Sequence, residues 1–193
     1  MERKFELVEG MSTMVGNKKL YRIAAIRDFG KVKAGAIGGY VDSEMALSQM
    51  GDCWIADEAM VYGGARIEGD AVVYDEAVVS GAVIISDYVR VDGDAKIQNH
   101  SDYCITIGGN IHIASGAHIE NPDNYAAIMT HEGTVSLFRN SSNGLDICFY
   151  RGEDLVHQSV SEFLEEHASN GDISFISLMM LGAICSMDQC MKA

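Results

Sequence analysis

Of the six histidines in this 193-residue chain, those at positions 100, 112, 118 and 131 are the candidates for proton transfer, for which imidazole is suited near neutral pH. A general base must also reach the proton it removes. His112 and His118 lie six apart in a six-residue repeat, which sends them outward from adjacent faces, so they do not converge within one chain. Zinc catalysis needs converging ligands around an open position. The spacings of 6 and 13 residues among His112, His118 and His131 do not supply that. The five cysteines (53, 104, 148, 185 and 190) form no C-x-x-C pair and are odd in number, which fits reduced thiols in a cytoplasm. No Walker loop, G-x-S-x-G or H-E-x-x-H is present, and Ile107-Gly-Gly-Asn is a turn signal. The expectation is therefore no catalytic constellation, no metal site and no cofactor.

Carboxylates are the other abundant chemistry. The chain holds 28 acidic and 14 basic side chains, for a net charge of −14. Residues 1–34 carry eight basic against four acidic groups, which leaves six against 24 for the rest. Such acidity argues against direct nucleic-acid binding and against an anionic membrane surface. The N-terminus has no apolar h-region. Ile173–Met187 is uncharged for fifteen residues, short of the roughly 20 needed to span a bilayer, and is expected to be a buried helix.

The elements that must position these groups follow from an internal repeat. From Gly51 the chain divides into sixes: GDCWIA, DEAMVY, GGARIE, GDAVVY, DEAVVS, GAVIIS, DYVRVD and GDAKIQ. The third position is always small or aliphatic and the fifth is always Ile or Val. Strand alternation sends both to one face, and Gly or Asp turns the corner. Three hexads make a triangular coil, so residues 18 apart stack at about 4.8 Å. The pattern slips by four residues over 99–108 and resumes as GNIHIA and SGAHIE, which predicts a protruding loop.

That register yields two surfaces. Outward position four carries Trp54, Met60, Val72, Val78 and Ile84, an apolar set expected to form a homo-oligomer interface, trimeric or dimeric. Corner columns bring together Asp57, Glu58, Asp75, Glu76 and Asp94, an acidic edge expected to bind a basic partner. Repulsion between neighbours about 5 Å apart is roughly 0.9 kcal/mol per pair in bulk water, which the fold can tolerate.

Both ends of a solenoid need covers. Residues 20–27 read as a strand. Beyond Asn121-Pro122, strands are predicted at Tyr125–Thr130, Thr134–Arg139 and Asp146–Arg151, then helices at Asp154–His167 and Asp172–Cys190. The division predicted is an N-terminal strand and cap (1–32), a β-helix of about five coils (33–120) and an α/β C-terminal cap (121–193).

The hexads match the signature of hexapeptide-repeat solenoids, which implies a mainly β fold, a left-handed parallel β-helix; its hand comes from that resemblance alone. LYRIAAIRDFGKVKAGAIGGYVDSEMALSQMGDCW (20–54), the hexads, and the block from TVSLFRN to DICFYRGEDLVHQSVSEFLEEH (134–167) resemble small phage and prophage β-helix proteins of unassigned activity. In such repeats position four is commonly Lys or Arg, whereas here it is often apolar. The resemblance implies a viral origin and says little about chemistry. With the acidic edge, the small size and the absence of a catalytic constellation, the expectation is a non-enzymatic interaction protein of the bacterial host cytoplasm that binds a basic host protein and inhibits a host defence, in the manner of an anti-CRISPR or another counter-defence protein. The alternatives are a hexapeptide-type acyltransferase with a site between subunits, where a loop histidine deprotonates the acceptor, or a virion component.

Overall fold

A computed structural model describes residues 3–130, 133–151 and 153–169. The chain opens with a hairpin of β1 (Phe5–Val15) and β2 (Lys18–Ala25), joined by Gly16-Asn17 with Gly16 at φ +60°. A glycine at positive φ in the first turn position suits a type II′ hairpin. The first solenoid turn then carries β3 (Ile37–Val41) and β4 (Trp54–Ile55). The second holds β5 (Met60–Tyr62), β6 (Arg66–Ile67) and β7 (Val72–Val73). The third holds β8 (Val78–Gly81), β9 (Val83–Ile85) and β10 (Arg90–Val91). The fourth holds β11 (Lys96–Asn99), β12 (Ile105–Ile107) and β13 (His112–Ile113), and β14 (His118–Ile119) begins another pass.

These strands stack in parallel as three faces: β3-β5-β8-β11-β14, β6-β9-β12, and β4-β7-β10-β13. The hairpin extends the first face, with β2 antiparallel to β3. The solenoid has about four turns, one fewer than predicted, because the segment before Ile37 forms the hairpin and its connection. Pairing advances by 20 residues from β3 to β5, as in Val41 with Val61, by 18 through the regular hexads, as in Val61 with Val79, and by 22 where the step crosses the insertion, as in Arg90 with His112. The four extra residues sit between β11 and β12, where the predicted loop occurs.

Position five fills the centre. Ile55, Val73, Val91 and Ile113 form one column and Val61, Val79, Ile97 and Ile119 another, each residue with no exposed surface. A fully buried Val or Ile contributes about 1.5–3 kcal/mol. Position one has a separate backbone reason for its composition. Gly51, Asp57, Gly63, Gly69, Asp75, Gly81, Asp87 and Gly93 all have positive φ, between 50° and 81°. Only Gly, and less readily Asp or Asn, adopts that conformation cheaply.

The first turn needs its open carbonyls covered, and Lys4 does this. Its side chain is fully buried, and Nζ donates to the carbonyls of Cys53, Gly51 and Met50 at 3.0, 3.1 and 3.3 Å. The ammonium also lies 3.2 Å from Cys53 Sγ and over the Phe29 ring. Burial lowers the Lys4 pKa, and Cys53 opposes the shift. Lys4→Met keeps the stem but strands these carbonyls, so chemical denaturation should show a loss of about 2–4 kcal/mol. A denaturation midpoint equal to that of the wild type would refute this capping role.

At the other end β15 (Tyr125–Thr130), β16 (Gly133–Arg139), β17 (Leu145–Arg151) and β18 (Asp154–Ser159) form an antiparallel sheet, followed by α1 (Val160–Ser169). Strand alternation divides its side chains. Phe138 and Cys148 join the solenoid core, while Val135, Leu137 and Ile147 pack with Val160 and Phe163 of the helix. The helix predicted from Asp154 starts at Val160 instead, because 154–159 pairs along β17. Ser159 and Glu162 exchange hydrogen bonds at that boundary as a capping box. The second predicted helix lies outside the described residues.

Candidate functional site

Where the C-terminal sheet meets the third solenoid face, a chain of polar side chains is built on the hexad register. His112 stands at outward position four of β13 and Asp92 follows β10 at position six. Both positions project outward from adjacent rungs, so His112 Nε2 comes to 2.6 Å from Asp92 Oδ2. Tyr74, one turn below Asp92, donates its hydroxyl to the same oxygen at 3.0 Å. The alternation that sends Cys148 to the solenoid also sends Tyr150, whose hydroxyl lies 3.3 Å from His112 Nδ1. Arg90 Nη1 donates to the Tyr150 oxygen at 3.3 Å.

These contacts are satisfied by one direction of donation. Arg90 donates to Tyr150, Tyr150 to His112 Nδ1, and His112 Nε2–H to Asp92, which also accepts from Tyr74. His112 is only 6% exposed, whereas Tyr150 is 40% exposed at the outer end of the chain. Burial pushes the Asp92 carboxyl up, but hydrogen bonds from His112 and Tyr74 outweigh it and hold the group below the usual carboxylate range. Burial, then the Asp92 charge, raises the Tyr74 hydroxyl. Beneath the site, Ser136 Oγ lies 2.5 Å from the His112 carbonyl and 3.1 Å from that of Cys148, whose thiol burial pushes up to about 12.

His112 points outward as the repeat predicts but is buried there, because the C-terminal sheet covers it. His118 remains half-buried and pairs with Glu120 at 3.1 Å on the first face, so the two histidines do not converge. His100 is exposed in the four-residue insertion, which is organised by Asn99: its carboxamide accepts from Ser101 N and donates to the Ala82 carbonyl at 2.7 Å. His131 lies outside the described residues. Among the described residues, no group of three or more His, Cys, Asp or Glu side chains is placed to hold a metal ion.

The five predicted edge carboxylates are all exposed. Several also staple successive turns. Asp57 accepts from the Asp75 N–H at 3.4 Å, and Asp75 accepts from the Gly93 N–H at 3.0 Å. Asp94 accepts from Ser115 Oγ and Gly116 N–H at 2.6 and 2.7 Å, which hold its carboxyl below the usual range. Glu58 pairs with Arg22 of β2. Glu76 stands exposed.

The apolar set divides. Trp54 is buried within this chain, its ring edge-on to Phe29 with centroids 5.5 Å apart, so the N-terminal segment covers it. Met60, Val72, Val78 and Ile84 are half-buried and lie on three different faces: Met60 and Val78 on the first, Ile84 on the second, Val72 on the third.

Stacked hexads, positive-φ corners and parallel columns define this class of protein: a hexapeptide-repeat β-solenoid. No protein-family model matches the chain. An uncharacterized acetyltransferase of Escherichia coli (strain K12), YdcK, is 50% identical over 58 residues. That match covers 28% of this chain and spans 18% of the length of the curated relative. The partial likeness and the solenoid together fit a hexapeptide-repeat β-helix family.

Proposed function

We propose that this protein is an acyltransferase of the hexapeptide-repeat type. The observation that carries the reading is the 50% identity over 58 residues to a protein named as an acetyltransferase, on a chain that is itself a hexapeptide-repeat solenoid. His112 is the base, oriented by Asp92, and Tyr150 carries the proton path from the exposed end to the buried ring. An acceptor hydroxyl or amine gives its proton to the Tyr150 oxygen as the phenolic proton passes to His112 Nδ1. The acceptor attacks the carbonyl carbon of an acyl thioester, the carbon–sulfur bond breaks, and the proton returns to the leaving thiolate. Asp92 stabilises the imidazolium formed between these steps. Arg90, exposed beside the Tyr150 oxygen, favours negative charge there. The half-buried Met60, Val72, Val78 and Ile84 are proposed as contacts with further copies.

Acetyl-coenzyme A is the probe. It should raise the thermal midpoint, and thioester consumption with an amine panel should fall about 10²- to 10⁴-fold in His112→Gln. Absence of both a thermal shift and turnover would dispose of acyl transfer. Turnover unchanged in His112→Gln would keep acyl transfer but remove this site from it.

A second reading is favoured by the exposure of all five edge carboxylates: a non-enzymatic phage or prophage protein that binds a basic host protein and blocks a host defence. The variant with Asp57, Asp75 and Asp94 changed to Asn and Glu58 and Glu76 to Gln removes the charge. Asn preserves both the corner conformation and an acceptor for the stapling amides. A partner captured by the wild type should be lost by this variant; capture undiminished by neutralisation would exclude the acidic edge as the binding surface.

A further inference from the structure

We propose that the outer edge of β1 is a self-complementary interface, on which a second copy of this chain adds its own β1 in antiparallel register about Thr13. β1 is the terminal strand of a seven-stranded sheet, and no described strand pairs with its outer side. Glu6, Glu9 and a bulge interrupt the first part of β1, but its last four residues, Ser12–Val15, contain no Pro and no charged side chain, the devices that natural edges use to block such pairing.

The hairpin fixes which groups face outward. Val15 pairs with Lys18 across the two-residue turn, and such a turn is closed by a hydrogen-bonded pair. Thr13 with Leu20 is then hydrogen-bonded as well, while Ser12 and Met14, opposite Tyr21 and Lys19, direct N–H and C=O away from β2. A bulge interrupts the ladder between Val8 and Ser12, so the regular open edge is the stretch 12–15.

One antiparallel register satisfies these outward groups in both copies. It places Ser12 opposite Met14 of the second copy, and Met14 opposite its Ser12, with Thr13 facing Thr13 on the two-fold axis. Ser12 and Met14 then exchange four backbone hydrogen bonds, and no charged residue faces a like charge. Beyond the ladder, the exposed Glu9 in the bulge lies toward the turn of the second copy, where its exposed Lys18 stands. Met11 and Met14, 45% and 59% exposed, gain cover from the same pairing. So short a ladder buries far less than the roughly 1,200 Å² of a standard stable interface, so the dimer is weak and forms with rising concentration. The interface is independent of the acyl-transfer reading.

Thr13→Cys in the full chain, with Cys104, Cys185 and Cys190 replaced by Ser, tests the register directly. A pair on the axis that is not hydrogen-bonded has Cα atoms about 4.5 Å apart, within disulfide reach. Mild oxidation should yield a covalent dimer at least tenfold faster than in the same background carrying Lys31→Cys, an exposed control. Glu9→Lys should slow the cross-link, and Glu9→Lys with Lys18→Glu should restore it. Wild-type sedimentation should depend on concentration, and that of Ser12→Pro with Met14→Pro should not; Glu9→Lys covers the case in which these prolines prevent folding. Cross-linking at position 13 no faster than at position 31, or unaltered by charge reversal, overturns the proposal.

Discussion

Gly81→Ala is expected to remove at least about 3 kcal/mol of stability, a large fraction of what a domain of this size has. Gly81 ends β8 at φ +81°, where an L-residue is strained by about 1–2 kcal/mol. Space makes the larger contribution. A Cβ here would lie 2.0 Å from the Asn99 carbonyl oxygen on the next turn and 3.0 Å from its carbon. Both contacts are backbone, so they cannot be relieved by moving a side chain. The β8–β11 pairing must open, and with it the Asn99 side chain that organises the inserted loop. Gly35→Ala is the control, since Gly35 has φ +86° and nothing within 4 Å of the added carbon. It should lose only the conformational cost. Equal losses in the two variants, measured by urea unfolding, would show that crowding between turns does not matter.

The second large effect belongs to Asp92. Asp92→Ala leaves the His112 Nε2–H and the Tyr74 hydroxyl without acceptors in a covered seam, a loss of about 3 kcal/mol. The side chain is 18% exposed, so solvent screening removes little of this. The pH dependence has a defined sign. The folded pKa of Asp92 is below its unfolded value, so its ionisation stabilises the fold above the unfolded value of about 4. That contribution fades as pH falls through the lower folded value. Wild-type stability should therefore decline below about pH 4, and the decline should be shallower in Asp92→Asn. Parallel curves for the two proteins would mean that Asp92 titrates as an ordinary surface carboxylate. Proteolysis of the C-terminal sheet should increase over the same acid range, because the network ties that sheet to the solenoid.

The acidic edge acquires a structural explanation beside any partner it has. Asp57 and Asp75 occupy corners that need a residue tolerant of positive φ, and their carboxylates receive amides from the next turn. Glycine meets the first requirement but not the second. Part of the excess acidity is therefore the cost of turning corners with a side chain that also links the turns.

Some features of the site were present in the sequence but hidden by the register slip. Positions four and six of a hexad both project outward, so Asp92 and His112 were candidates for contact once the four-residue insertion was counted. The capping box at Ser159 and Glu162 likewise marked where α1 begins. β1 was less accessible, since Glu9-Gly10-Met11 interrupts its alternation. Burial of Trp54 under Phe29 joins residues 25 apart through a loop with no repeating pattern.

By itself the sequence determined the solenoid, its three-sided coil, the position of its inserted loop and the strands Tyr125–Thr130 and 134–139 to within a residue. Each hexad encodes its own strand and corner, and identical rungs stack only one way, so local pattern and global fold coincide. Only the tertiary structure decided which polar side chains meet. Tyr150 reaches His112 across 38 residues, and its arrival turns an outward solvated imidazole into a buried one between a phenol and a carboxylate. That depends on how a nonrepetitive sheet seats on the end of a repetitive one, a contact between distant segments that no local period specifies.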